Sequence, residues 1–197
     1  MTFTAITGGI GSGKSFICRL LQDRYGIRVY DCDAAARRLM ASSEALQKAL
    51  NELVGEEVFR DHVLQKPVLS RYILASDAHK QAVNDIVHPA VAADFLSSGY
   101  TWLESAILFE SGFYKRVRFD TTVCVTAPLE VRVARVMARD GMSRERALEW
   151  INSQMSQEEI ICRCDIAILN DGVQPLDKQI ETVVDDVRAF DAYTTFK

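Results

Sequence analysis

Four glycines fall within six residues near the start of the chain, Gly8-Gly9-Ile10-Gly11-Ser12-Gly13, directly behind the apolar run Phe3–Thr7. Glycine loses more conformational freedom on folding than any other residue, so such a cluster marks a backbone that bends sharply or approaches something closely. Read on through Lys14 and Ser15, the stretch fits G-x-x-x-x-G-K-[ST], the phosphate-binding loop. A helical pattern with Ile17, Leu20 and Leu21 on one side follows it. Between a strand and a helix, consecutive backbone N–H groups and the positive end of the helix converge on an anion. Lys14 then reaches the β- and γ-phosphates, and the Ser15 hydroxyl holds Mg²⁺. A plain strand-to-helix turn leaves Lys14-Ser15 unexplained. The motif predicts nucleotide phosphate binding.

Further apolar runs, β-branched or aromatic, agree with that setting: Ile27–Tyr30, Thr101–Phe109, Thr121–Thr126 and Ile166–Leu169. Near-continuous apolar runs alternating with helices indicate a parallel sheet covered on both faces. The fold class is α/β, a P-loop three-layer sandwich with a five-stranded parallel sheet, a helical insertion and a helical lid. The insertion, residues 34–98, reads as helices at Ala34–Met40, Ser43–Leu53, Pro67–Leu74 and Asp77 to about Phe95, from its 3.6-residue period. It is the expected acceptor-substrate subdomain. Residues 132–163 form an arginine-rich helical hairpin, broken at Asp140-Gly141-Met142 and restarted by Ser143 as cap. The nucleotide-binding core is then 1–33 with 99–131 and 164–197, closed by a helix from about Pro175 to Ala192.

The 197 residues carry a formal net charge of -4, which argues against non-specific wrapping of nucleic acid. No apolar run reaches the roughly 18 residues of a membrane span, and the N-terminus lacks the pattern of a signal peptide. Five scattered cysteines read as reduced thiols of a cytoplasmic protein. Cys162-x-Cys164 has no second Cys or His pair to complete a metal site. Small-molecule partners are expected, with no nucleic acid and no membrane, in a monomer or small homo-oligomer.

Among P-loop proteins, a GTP switch needs an N-K-x-D, which is absent, and a D-x-x-G behind a later strand. Asp23-Arg24-Tyr25-Gly26 ends the loop's own helix instead. A motor or AAA-type ATPase needs more chain. A compact small-molecule kinase of the nucleoside-monophosphate type fits. The second apolar run leads into Asp31-Cys32-Asp33. The ligand crevice of an open parallel sheet lies at the carboxyl ends of its strands, so both carboxylates are expected beside the phosphate loop. There a carboxylate takes a proton from an attacking hydroxyl or completes the Mg²⁺ shell. Asp33 reads equally as a helix N-cap. Arg132, Arg135 and Arg139, at i, i+3 and i+7, share one helix face. Such a stripe is often only a solvated face. After the fourth run of a P-loop fold it reads as a lid closing over transferred charge.

Taken together, the chain resembles the dephospho-CoA kinase family over nearly its whole length. The resemblance is carried by Thr7-Gly8-Gly9-Ile10-Gly11-Ser12-Gly13-Lys14-Ser15, Asp31-Cys32-Asp33 with Ala36-Arg37, Ile86-Val87-His88-Pro89-Ala90-Val91 and Leu108-Phe109-Glu110-Ser111-Gly112. Arg135-x-x-x-Arg139-Asp140, Gln154, and Asp165 through Asn170-x-Gly172 extend it. It implies ATP-dependent phosphorylation of the ribose 3′-hydroxyl of dephospho-CoA, the last step of coenzyme A synthesis. Asp33 is then the general base, with Lys14 and Arg139 also catalytic. Gly9, Gly11, Ser12, Gly13, Lys14, Ser15, Phe16, Arg135 and Asn170 bind ATP. Thr7, Asp33 and His88 lie toward the acceptor, and Ser15 and Asp31 toward Mg²⁺. His88-Pro89 reads alternatively as a helix start, and Leu108-Phe109-Glu110 as a strand running into a turn.

The chain departs from the family pattern in several places. Phe16 replaces the usual Thr, Ser105-Ala106 stands where a proline is usual, and Ile160-Ile161 replaces a pair that is often basic. Lys66 replaces an arginine, and lysine cannot copy a bidentate contact. These departures bear on affinity rather than chemistry. A kinase for a nucleoside or nucleotide, and a non-catalytic nucleotide-binding regulator, are the alternative readings.

Overall fold

The protein is described by a computed structural model covering residues 2–195. In chain order it contains β1 (Thr4–Thr7), α1 (Lys14–Tyr25), β2 (Val29–Asp31), α2 (Cys32–Ser42), α3 (Glu44–Val54), β3 (Phe59–Arg60), β4 (Val63–Leu64), α4 (Lys66–Ala75) and α5 (Asp77–Ser97). There follow β5 (Trp102–Glu104), a 3₁₀ turn at Phe113–Lys115, β6 (Thr121–Thr126), α6 (Leu129–Asp140), α7 (Arg144–Asn152), α8 (Gln157–Cys162), β7 (Ile166–Leu169) and α9 (Leu176–Thr195). The chain divides into two compact units, Met1–Tyr30 with Tyr100–Lys197, and Asp31–Gly99. The hairpin 132–163 stays within the first of these.

The first unit is built on a five-stranded parallel sheet, ordered β2-β5-β1-β6-β7. β1 lies at its centre, with Ala5 opposite Leu103 on one side and Thr122 on the other. Burial on both faces accounts for the uninterrupted apolar runs. On one face Ile17 and Leu21 of α1 pack into a cluster with Ile6, Val123, Val125 and Ile168. The same cluster takes Ile180, Val183, Val184 and Val187, the i, i+3, i+4, i+7 stripe of α9. Burying each such side chain contributes roughly 1.5–3 kcal/mol. A smaller cluster of Val133, Val136, Ala147 and Ile151 holds α6 to α7. Ser143 caps α7 by accepting from the Arg146 N–H, as its position predicts.

The third apolar run is shorter as a strand than its sequence predicts. β5 ends at Glu104, and the chain turns through 106–112, with Ser111 N–H bonding Ile107 O and Gly112 N–H bonding Phe109 O. Leu108 and Phe109 are buried there without belonging to a strand, so burial alone produced the apolar pattern. All five cysteines are free thiols. No helix of the described residues is long and apolar enough to cross a membrane.

The second unit holds four helices around Leu50, Val58, Leu69, Val83, Val87, Val91 and Phe95. Its hairpin β3–β4 is not foreseen by the sequence. The connecting Asp61 and His62 both take positive φ, 49° and 64°, the two-residue form that fits the twist of paired strands. His88-Pro89 is not a helix start: both residues lie inside α5. The cap of α2 is Asp31, whose Oδ1 accepts the Ala34 N–H at 2.8 Å, and Asp33 falls in the first helical turn. Asp31 is still extended at ψ 107°, and the helix begins at once with Cys32, two residues earlier than an Asp33 cap requires.

Candidate nucleotide site

The loop from Gly8 to Gly13 joins the carboxyl end of β1 to α1. Gly8, Gly11 and Gly13 take φ of 140°, 80° and 93°, a backbone that L side chains rarely adopt. Alternation of this kind turns successive N–H groups inward as an anion nest, and α1 adds its dipole. Space imposes glycine as well. A Cβ on Gly13 would meet Asn170 Nδ2 at 2.2 Å, and one on Gly9 would meet Arg132 Nη2 at 2.3 Å.

Lys14 is 8% exposed and folds back over the loop, its Nζ donating to Gly8 O at 2.8 Å and lying 3.8 Å from Glu104 Oε1. Glu104, at the carboxyl end of β5, is not among the residues that the sequence singles out. Its mark in the sequence is a charge inside the apolar run Thr101–Phe109; its place beside the loop follows from the pairing of β5 with β1. Ser15 and Phe16 are exposed at the start of α1. The Ser15 hydroxyl and the Glu104 carboxylate are hard-oxygen donors of the kind that Mg²⁺ takes.

The arginine stripe separates into three environments. Arg132 is 6% exposed and donates through Nε to Ile10 O at 2.9 Å. Burial draws its guanidinium below the usual arginine value, with the Glu158 charge opposing. Arg135 donates to Ser12 O at 3.2 Å and to Asn170 Oδ1 at 3.2 Å. Asn170 in turn donates to Ser12 O at 2.8 Å, so the residue after β7 is tied to the loop directly. Arg139 is exposed and pairs with Asp140 at 2.7 Å, holding that carboxyl below the usual carboxylate range. Thus Arg135, Asn170 and Lys14 converge on the loop, and Arg139 faces solvent.

A cavity of about 490 Å³ opens beside these groups, lined by Gly13, Phe16, Arg135, Asn170, Gly172, Gln174 and Leu176. Its far wall is shaped by Asp171, whose Oδ1 accepts the N–H groups of Val173 and Gln174. Gln179 of α9 fixes the end of β7 by bonding Leu169 at both N–H and C=O. Gln154, from the expected lid, and Glu110, from the Leu108–Gly112 motif, each accept a backbone N–H from a distant segment. Gln154 accepts the Ile10 N–H at 2.7 Å, and Glu110 accepts the Met155 N–H at 3.1 Å. Thr7 is 1% exposed, its side chain turned into the interior. In the helical unit, Asp33 is exposed with no hydrogen bond to its carboxylate among the described residues, and His88 is half-buried on α5.

A family model of dephospho-CoA kinase matches residues 2–175. The dephospho-CoA kinase of Bacteroides fragilis is 44% identical over 182 residues, covering 89% of this chain and 87% of that protein. That of Porphyromonas gingivalis is 36% identical, with 95% of each chain covered. A crystal structure of a Thermus thermophilus protein superposes with a TM-score of 0.77 at 34% identity, covering 95% of this chain and 96% of the other. Motif, geometry and these likenesses agree, and the chain belongs to the dephospho-CoA kinase family.

Proposed function

We propose that the chain transfers the γ-phosphoryl group of ATP to the ribose 3′-hydroxyl of dephospho-CoA, giving coenzyme A and ADP. The observation that carries the ATP half is the glycine nest with Lys14 folded over it. ATP would lay its phosphates in the loop of Gly9, Gly11, Ser12 and Gly13, and Lys14 would exchange Gly8 O for the β- and γ-phosphate oxygens. The adenine would take the cavity beside Phe16, Arg135 and Asn170. Mg²⁺ would be held by Ser15 and Glu104, neutralising charge on the β- and γ-phosphates. Glu104 is preferred to Asp31, whose Oδ1 is committed to the α2 cap.

Asp33 takes the proton of the attacking hydroxyl. Its carboxylate is exposed and, among the described residues, makes no hydrogen bond, so it is open to an incoming hydroxyl. Arg139 exchanges Asp140 for the transferred group and stabilises the charge spread over its oxygens. The acceptor is held by the helical unit, with His88 on α5 among its contacts, while buried Thr7 shapes the end of β1. The reaction and the free thiols suit the cytoplasm. The test is ADP release with dephospho-CoA, adenosine, AMP and pantetheine phosphate as acceptors. Turnover only with dephospho-CoA is expected, and indifference to it refutes the reading.

A further inference from the structure

We propose that Arg132 and Gln154 are positioning residues for the phosphate loop, acting together through the backbone of Ile10. Ile10 stands between Gly9 and Gly11, the latter at φ 80°, so the peptide groups on either side of it rotate about glycine dihedrals that resist little. Both of its backbone polar groups are nevertheless taken. The N–H is held by Gln154 Oε1 at 2.7 Å and the C=O by Arg132 Nε at 2.9 Å. The holders come from separate places, α6 and the connection between α7 and α8, distant in sequence from the loop.

Arg132 is not itself a phosphate ligand in this arrangement. It is 6% exposed, and its guanidinium lies against Gly9, where a Cβ would come 2.9 Å from Cζ. The backbone of α6 is equally close: a Cβ on Gly11 would lie 2.6 Å from Arg132 O. The helix therefore cannot shift without carrying Ile10, and the aim of the N–H groups that follow Ile10 depends on where α6 and the α7–α8 connection sit. Loss of either holder leaves the fold in place and blurs that aim. The penalty falls on ATP and not on the acceptor.

The proposal rests on residues 8–15 being the phosphate site of ATP, and the experiment separates the two. ATP binding to the wild-type protein, and its loss in Lys14→Ala, test the site. Titration calorimetry of Gln154→Leu, Gln154→Glu, Arg132→Ala and the Gln154→Leu/Arg132→Ala double variant tests the bracket. Gln154→Leu and Arg132→Ala should each weaken ATP binding roughly five- to tenfold, one buried hydrogen bond's worth. Gln154→Glu keeps the accepting oxygen and should stay within about twofold of wild type. The double variant should be little worse than the weaker single, because both act through one residue. Dephospho-CoA affinity should not move. Should Arg132→Ala fail to fold, the Gln154 pair decides alone. Wild-type ATP affinity in Gln154→Leu, equal loss in Gln154→Glu, or a parallel loss of dephospho-CoA affinity overturns the proposal.

Discussion

Gly13→Ala gives the most direct measure of how tightly the loop is built. Gly13 caps α1 at φ 93°, and holding an L-residue in the left-handed region costs about 1–2 kcal/mol. The added Cβ would also sit 2.2 Å from Asn170 Nδ2. That amide cannot swing aside freely. Asn170 is 4% exposed, donates to Ser12 O at 2.8 Å and accepts from Arg135 at 3.2 Å. Displacing it forfeits bonds worth about 1 kcal/mol each. The expected loss is about 2–4 kcal/mol, a fall in Tm of roughly 5–15 °C for a chain of this length. Gly141→Ala is the control, since Gly141 has φ 64° and a Cβ added there would meet nothing within 4 Å. It should show the backbone share alone. Thermal melts followed by circular dichroism, repeated in an Asn170→Ala background, check the division. Equal losses at Gly13 and Gly141, or a Gly13→Ala penalty undiminished without Asn170, refute the reasoning.

Lys14→Ala should abolish turnover, because Lys14 supplies the charge that follows the β- and γ-phosphates while Arg132 and Arg135 are tied to loop carbonyls; activity within a few-fold of wild type would contradict this. Asp33→Asn should lower kcat by roughly 10²–10⁴ with ATP affinity and Tm nearly unchanged, read in a steady-state ADP-release assay. Arg139→Ala should cost roughly 10²–10³ in kcat and Arg144→Ala, paired with Glu130 at 2.7 Å on the outer surface, within a few-fold; equal small effects would leave Arg139 a solvated surface residue with no part in the transfer. Asp31→Ala should destabilise α2 by about 1 kcal/mol and Asp31→Asn hardly at all, since both Asp and Asn cap well; a urea titration separates them.

Much of the fold is legible in the sequence because its physics is local. A buried parallel strand must be apolar along its length, so four of the five strands stand close to their predicted bounds. The third departs for the same reason: Leu108 and Phe109 are as buried as strand residues but lie in a turn. The β3–β4 hairpin is illegible because Asp61-His62 carries none of the glycine or asparagine that normally announces two positive φ values. The α2 cap lies two residues before Asp33, since Asp31 and Asp33 are equally good caps and only the strand's exact end decides between them. At the site, the loop is readable from spacing, whereas Glu104 and the bond from Ile10 to Gln154 depend on which strands and turns become neighbours. Spacing within one segment does not carry that information.

The arginines of α6 show where the boundary lies. Spacing at i, i+3 and i+7 correctly puts Arg132, Arg135 and Arg139 on one face, yet successive turns of that face meet different surroundings. Arg132 meets the loop crest and is buried. Arg135 meets the loop's second half and Asn170. Arg139, a turn beyond the loop, pairs among the described residues with Asp140, and its side chain is 62% exposed. Solvent screens an exposed pair of this kind, so Arg139 can change partner at little cost. Releasing Arg132 would instead strand the Ile10 carbonyl and an emptied guanidinium site. The same periodic face therefore carries two arginines bonded to the loop of residues 8–13 and one that can change partner, the property that the clamp proposed for Arg139 requires.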